Sequence, residues 1–230
     1  MSVGLRLLGG FDLRRGGRSV ELTPGGERLV AFLALNRRRL SRVYVAGSLW
    51  PDVEEQRSLG NLRTALWRLR CPDVVEVAAG RLSLAAAVAA DVEPLVAVAH
   101  AVSDEPARPG GEDPVAALRG LLTGDLLPDW YDEWVVAERE RLRGLRLHAL
   151  EMLVGRFVGE RNFALAHEAA LAVVQAEPFR ESGQRLLMEV HLAEGNRAQV
   201  RRHYEGFRAL MRAELGTAPS VDIEALSGRS

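Results

Sequence analysis

The most regular pattern of apolar and polar positions in the chain lies in residues 54–70, EEQRSLGNLRTALWRLR. Four leucines recur at helical spacing and share one face, namely Leu59, Leu62, Leu66 and Leu69. At about 100° per residue, the other side carries polar and aromatic side chains, namely Arg57, Asn61, Thr64, Trp67 and Arg68, with Arg63 at its edge. The pattern predicts an amphipathic helix that starts at Glu54, with one packed face and one open face.

Short apolar segments precede this helix. Residues 3–8, 11–14 and 18–22 are separated by two glycine pairs, which predicts a small antiparallel sheet with tight turns. Thr23-Pro24 then combines an N-cap residue with proline at the first helical position, so a helix is predicted from there to about residue 37.

A second capped helix and a hairpin complete the N-terminal part. Ser41 is suited to cap a helix over about residues 42–49. Further on, residues 74–77 and 81–85 flank a turn at 78–80 and predict a β-hairpin. Three strands, three helices and a terminal hairpin are the parts of a winged helix, an α+β fold in which the hairpin is the wing. We therefore predict a winged-helix domain over residues 1–88.

The remainder, residues 89–230, has helical patterns and an internal repeat. Residues 160–166, ERNFALA, align with residues 194–200, EGNRAQV, at an offset of 34. Thirty-four residues is the tetratricopeptide period, with one helix–turn–helix unit in each repeat. The pattern predicts an all-α, tetratricopeptide-like domain, and a generic helical bundle is the alternative.

The charge of the chain is divided between these two parts. Residues 1–85 contain 14 arginines and 8 acidic residues, whereas residues 86–230 contain 16 arginines and 23 acidic residues. The net charges of +6 and −7 indicate that the first part meets a polyanion and the second does not. All 30 basic residues are arginine, which codon bias in a GC-rich bacterium explains for the chain as a whole.

The open face of the predicted helix has the chemistry of DNA reading. Arginine can fork to guanine and asparagine can bridge adenine, and residues 57–68 span about 16–17 Å of helix. Arg42, Arg81 and the cluster Arg37–Arg39 are candidates for phosphate contacts. For Arg81, near the tip of the predicted wing, entry into a minor groove is an alternative. The alternatives are a helix that packs on a neighbouring domain and arginines that are merely solvated. Trp67 suits either a thymine methyl group or packing against the wing.

Catalytic, metal and membrane chemistry find no support in the residues. The five histidines and the single Cys71 form no metal-ligand spacing, and no phosphate loop or nucleophile motif occurs. One cysteine excludes an internal disulfide, and neither a signal peptide nor a transmembrane span is predicted. The expectation is a cytoplasmic, nucleoid-associated bacterial protein without enzyme activity, cofactor or metal.

Three stretches carry a resemblance to a known family. They are the recognition segment Asn61–Arg70 together with LWPD at 49–52, the run GDLLPDWYDEWVVAERERL at 124–142, and LMRAELGTAPS at 210–220. In this order they resemble the Streptomyces antibiotic regulatory proteins, with their bacterial transcriptional activator domain. The wing sequence AAGRLSL departs from the family because it lacks the Gly-Gly-Tyr often found there.

The resemblance implies a winged helix of the response-regulator (OmpR) type followed by the helical activator domain. It implies a transcriptional activator of a secondary-metabolite gene cluster that binds direct repeats near promoters as adjacent copies, with a homodimer on double-stranded DNA as the expected assembly. In such proteins the loop between the second and third helices faces RNA polymerase holoenzyme. Here that loop contains Trp50, Asp52, Glu54 and Glu55, although acids at a helix start are also favoured by the helix dipole alone. The alternative function is a protein–protein adaptor that uses the helical repeats.

Overall fold

The computed structural model describes residues 2–69, 71, 73–104 and 113–228. Arg70, the end of the predicted recognition segment, lies outside the described residues. The chain divides into two compact units. The first contains Met1–Leu95 and Thr123–Arg143, and the second contains Val96–Leu122 and Gly144–Ser230.

The described strands are β1 Val3–Arg6, β2 Asp12–Arg15, β3 Arg18–Ser19, β4 Leu40–Ser41, β5 Val75–Ala78, β6 Arg81–Leu84 and β7 Val88–Ala90. The described helices are α1 Pro24–Asn36, α2 Arg42–Leu49, α3 Glu55–Leu69, α4 Val92–Asp104, α5 Pro114–Leu121, α6 Glu133–Gly159, α7 Phe163–Ala176, α8 Glu181–Ala193, α9 Arg197–Leu215 and α10 Val221–Gly228.

The N-terminal sheet has the strand order β3-β2-β1-β7. Strands β1 and β2 pair antiparallel, with Leu5 opposite Leu13, as the glycine-separated pattern predicts. Strands β2 and β3 also pair antiparallel, so the predicted pairing of these three strands is confirmed. Strand β7, which the pattern did not predict, joins β1 in parallel, with Leu5 opposite Ala90. Asp91 fixes this junction, since its carboxylate accepts hydrogen bonds from the backbone N–H groups of Leu7 at 2.9 Å and Leu8 at 3.0 Å.

The helix-turn-helix and wing follow the local signals of the sequence. The hydroxyl of Thr23 caps α1 by accepting a hydrogen bond from the N–H of Gly26 at 3.3 Å, and that of Ser41 caps α2 through Tyr44 at 3.2 Å. The wing strands β5 and β6 pair across the two-residue turn Ala79-Gly80, where φ is positive at both positions. Strand β4 adds a third strand beside β6, so the winged helix is complete.

Helix α3 differs from the prediction at its start. It begins at Glu55 rather than Glu54, and the carbonyl of Glu54 accepts the N–H of Ser58 at 2.9 Å. Helix α1 lies against α3, since a Cβ on Gly25 would be in ordinary van der Waals contact with that of Ala65, at 3.7 Å. The packed face of α3 therefore rests on α1.

The first unit contains more of the chain than the predicted domain of residues 1–88, because it includes β7, the start of α4 and Thr123–Arg143. An isolated antiparallel bridge joins Leu8 to Leu126. The N–H of Gly9 donates to the carbonyl of Asp125 at 2.8 Å, and that of Leu127 to the carbonyl of Leu7 at 2.9 Å. These backbone bonds attach residues 125–127 to the end of β1.

The second unit contains the predicted repeat as two helix pairs. Asn162 and Asn196, which are 34 residues apart, are the N-cap residues of α7 and α9. The turns before them have the same backbone bonds, from Asn162 N–H to Phe157 at 2.8 Å and from Asn196 N–H to His191 at 2.8 Å. This bond is the 6→1 bond of a Schellman helix end, so the repeat is confirmed at the level of backbone hydrogen bonding.

The two turns differ at the residue with positive φ, which is Arg161 in one and Gly195 in the other. A side chain in this left-handed conformation costs about 1–2 kcal/mol relative to glycine. Arg161→Gly should raise the free energy of unfolding by only about 1 kcal/mol, because it also removes the contact of the Arg161 guanidinium with the ring of Phe163, at 5.9 Å. Gly195→Ala should lower the free energy of unfolding by about 1–2 kcal/mol. Urea unfolding of both variants measures the two changes, and opposite signs at equivalent positions are the expected result.

Candidate nucleic-acid interface

The open face of α3 is exposed in the structure as the period predicts. Arg57, Arg63, Thr64 and Arg68 are exposed, and Asn61 is half-buried. The opposite face buries Ser58, Leu62, Ala65 and Leu69, whereas Leu59 and Leu66 are half-buried. Ser58 fits this packed face because its hydroxyl donates to the carbonyl of Glu55 at 2.9 Å. Only two of the four leucines on the apolar face of α3 are therefore fully buried.

Arginines on this face differ from many other arginines of the first unit. Several of those are held by carboxylates, including Arg14 by Asp12 at 2.7 Å, Arg28 by Asp132, and Arg37 by Glu93 at 2.8 Å. Within the described part of the chain, Arg57 and Arg68 pair with no carboxylate, and Arg63 contacts only the carbonyl of Leu59, at 3.4 Å. Their positive charge is therefore not neutralised locally.

A groove separates α3 from the wing. It has a volume of about 430 Å³ and is lined by Arg42, Arg63 and Trp67 on one side and by Val75 and Val77 on the other. Trp67 is 73% exposed and Val77 is 53% exposed. Trp67 is therefore not buried against the wing, which was one of its two predicted roles. Its indole lines the groove and is accessible to solvent.

Two candidates for phosphate contacts lie outside α3. Arg42 is half-buried at the start of α2. Arg81 is exposed next to the wing turn and donates a long hydrogen bond, 3.5 Å, to the carbonyl of Arg39. In the neighbouring basic cluster, Arg37 is engaged by Glu93, and Arg38 lies 5.7 Å over the ring of Tyr44. Arg37 and Arg38 of this cluster therefore already make contacts within the protein.

The loop between α2 and α3 borders a second groove. Asp52, Glu54 and Glu55 are exposed, whereas Trp50 is half-buried, with its ring near Gly25. Pro51 and Asp52 line a groove of about 750 Å³ together with Tyr131, Glu133 and Trp134. Tyr131 is 83% exposed. The acidic loop therefore shares its surface with residues from much later in the sequence.

These later residues belong to the acidic-aromatic segment, Gly124–Trp134, which packs against the winged helix. Trp130 stacks on Phe11 at 5.9 Å between ring centroids, and Trp134 meets Phe32 of α1 edge-on at 5.2 Å. Arg139 holds the segment in place, since it donates to the carbonyls of Leu126 and Trp130, each at 2.7 Å. Sequence reasoning did not find this packing, although these aromatic and arginine positions were the distinctive part of the resemblance.

Three histidines lie together in the second unit. His167 on α7 and His191 on α8 have ring centroids 5.4 Å apart. His203 on α9 lies 2.6 Å from the side-chain oxygen of Gln184, whose amide nitrogen donates to the carbonyl of Pro178 at 2.6 Å. Gln184 therefore offers its oxygen to an N–H of His203. Burial, reinforced by the neighbouring imidazoles, lowers the pKa of both His191 and His203, although Glu194 partly opposes this at His191.

These lowered pKa values predict acid sensitivity of the second unit. The unfolded chain binds protons more readily than the folded one, so the free energy of unfolding should fall as the pH drops below about 6.5. We expect a lower urea midpoint at pH 5.5 than at pH 7.5, and a smaller difference in His203→Gln. The exposed His100→Gln serves as the control, and an unchanged pH dependence in His203→Gln would contradict the assignment.

The described residues contain no group of three or more His, Cys, Asp or Glu side chains placed to hold a metal ion. Among these same residues, no helix is both long and apolar enough to cross a bilayer.

A helix-turn-helix with a hairpin wing, followed by paired helices, defines a winged-helix protein with a tetratricopeptide-like domain. Residues 90–229 match the model of the bacterial transcriptional activator domain. The match covers more than half of the chain, which therefore belongs to this family of transcriptional regulators. The resemblance to the Streptomyces antibiotic regulatory proteins is confirmed through this domain.

The fold is similar to that of a solved structure of Mycobacterium tuberculosis EmbR in complex with a low-affinity phosphopeptide. The TM-score is 0.75 at 18% sequence identity, and the match covers 99% of this chain and 64% of that chain. At this identity the likeness shows the fold, and the chain spans less than two thirds of the length of that structure. Among curated proteins, none matches this chain.

Proposed function

We propose that the protein is a sequence-specific DNA-binding activator that reads the major groove with the open face of α3. The observation that carries this proposal is the set of exposed arginines on α3 that no carboxylate of the described residues neutralises. Arg57, Arg63 and Arg68 supply forks for guanine, and Asn61 supplies an amide for adenine. Thr64 and Trp67 provide apolar contact for thymine methyl groups.

A second observation, the groove between α3 and the wing, also supports this proposal. Arg42 lines this groove, and Arg81 is the first residue of β6, next to the wing turn. Phosphate contacts from these arginines fix the register of a recognition helix without reading bases. The hydroxyl of Thr64 already donates a hydrogen bond to the carbonyl of Gly60, at 3.0 Å. We therefore assign only the methyl group of Thr64 to contact with DNA.

Membership of the family supports a proposal for the DNA target. We propose direct repeats near the promoters of a secondary-metabolite gene cluster, bound by adjacent copies of the protein, in a bacterial cytoplasm and at the nucleoid. The test is footprinting on the promoters that flank its own gene. The adaptor function would replace this proposal if those promoters were not bound even at low salt.

We further propose that Asp52, Glu54 and Glu55 contact RNA polymerase. The three carboxylates are exposed beside a groove, and acidic surfaces steer basic partners. The combined variant Asp52→Asn, Glu54→Gln and Glu55→Gln should bind promoter DNA at least as tightly as the native chain, because negative charge near the duplex is removed. It should lose activation in transcription reconstituted with purified polymerase.

A matched control removes three exposed acids elsewhere, through Glu21→Gln, Glu168→Gln and Asp222→Asn. This variant should activate like the native chain. Equal activation by both triple variants would show that the loop does not contact polymerase.

A further inference from the structure

Helix α9 of the second unit carries a row of arginines on one side. Arg197, Arg201, Arg208 and Arg212 are all exposed. At about 100° per residue they fall within an arc of roughly 60°, and the row is about 22 Å long at 1.5 Å per residue. The neighbouring face of α9 is the core stripe, formed by Val200, Tyr204, Phe207 and Met211. The row is therefore held on a helix that is anchored along its length.

The charge of this row is unusual for its surroundings. Residues 86–230 have a net charge of −7, yet α9 has five arginines and two glutamates. Other arginines of the second unit are paired with carboxylates, including Arg156 with Glu160 at 3.0 Å and Arg185 with Glu189 at 3.3 Å.

In the row itself, Arg197, Arg208 and Arg212 have no carboxylate partner among the described residues. Like charges four residues apart on a helix, as at positions 208 and 212, destabilise it. A polyanion bound along the row would offset that repulsion.

The side chains around the row favour a nucleic-acid backbone over a protein. A protein interface is centred on large apolar or aromatic anchors. Along most of its length, the exposed neighbours of the row on α9 are small or charged, namely Ala198, Glu205 and Ala209. The exposed Leu215 is a single large apolar side chain at the C-terminal end of the row. Duplex DNA carries one negative charge per about 1.7 Å of its axis, and the planar guanidinium of arginine matches phosphate geometry.

We propose that the arginine row of α9 is a second DNA contact, which binds phosphates of duplex DNA outside the bases read by α3. The proposal rests on the DNA-binding function proposed above and extends it to the activator domain. Because the contact involves the backbone alone, it adds affinity on any sequence. It also predicts that the affinity of the whole chain depends more steeply on salt than the winged helix alone would require.

The test compares salt dependence on a random-sequence duplex of about 40 base pairs. We expect the variant Arg197→Gln, Arg208→Gln and Arg212→Gln to reduce the slope of log K against log salt by about 2–3, at about 0.9 for each phosphate that the variant no longer neutralises. The matched control, Arg119→Gln, Arg156→Gln and Arg185→Gln, removes the same charge from other helices of the second unit and should leave the slope unchanged. Replacing the three row arginines with lysine should retain most of the native slope.

Equal slopes for the row variant and the control would overturn the proposal. So would loss of transcription activation with unchanged DNA binding in the row variant, which would assign the row to an acidic protein. Failure of the function proposed for α3 is separate, because it appears as absence of sequence-specific protection in a footprint. The row variant should keep the native footprint positions, and its urea unfolding checks that it is folded.

Discussion

Arg68→Ala is expected to weaken binding to the native promoter by about 5- to 150-fold at fixed salt. An arginine fork to guanine contributes about 1–3 kcal/mol of discrimination against the wrong base, and each 1.4 kcal/mol is a factor of ten in affinity. Arg68 is exposed and has no carboxylate partner within the described residues, so the substitution breaks no ion pair in the protein. Helix content by circular dichroism should be unchanged.

The effect should be specific to sequence. Binding of Arg68→Ala to a random duplex should fall much less than its binding to the promoter, because base contacts contribute little on random DNA. Arg185→Ala on α8 makes the same change in charge and should bind both duplexes like the native chain. Native affinity of Arg68→Ala for the promoter would remove this residue from the reading face.

Trp134→Ala should destabilise the first unit by about 3 kcal/mol, which is the low end of the cost of deleting a large packed aromatic side chain. The low end applies because Trp134 is half-buried. Its ring meets Phe32 of α1 edge-on at 5.2 Å and Trp130 at 6.3 Å. Because α1 packs against α3, the variant should also lose DNA binding at a lower temperature than the native chain. This effect is expected even though residue 134 lies outside the predicted winged-helix domain.

Tyr131→Ala is the control for this change. Tyr131 lies three residues away and is 83% exposed, so its removal should change the free energy of unfolding by less than about 0.5 kcal/mol. Thermal unfolding of both variants measures the difference. Equal melting temperatures for the two variants would contradict the structural role of Trp134.

Local signals in the sequence were enough to predict the helix-turn-helix and the wing. Thr23 and Ser41 mark helix starts through their hydroxyl groups, and these caps are present. The open face of α3 follows from its period alone, since a helix with one apolar stripe must expose the other side. The turns of the helical repeat were also predictable, because residues 34 apart adopt the same backbone bonds.

Contacts between distant segments were not predictable in this way. Strand β7 is three residues long and pairs in parallel with β1, from which it is separated by more than eighty residues of sequence. No local alternation of apolar and polar residues predicts this pairing. The packing of Trp130 on Phe11 and of Trp134 on Phe32 also joins residues that are far apart in the sequence, so local patterns do not predict it either. Sequence also does not reveal which arginines are paired. Arg37 is held by Glu93 whereas Arg68 is not held, and this difference decides which of them is available to DNA.

Footprinting of the native chain and of Arg68→Ala on the promoters that flank its own gene tests DNA reading by α3 most directly. The native chain should protect two sites of the same orientation, with centres separated by a multiple of about 10–10.5 base pairs. Arg68→Ala should lose that protection at the same protein and salt concentrations. Absence of protection by the native chain, even at low salt, would contradict the assignment of α3 to the major groove and favour the adaptor function.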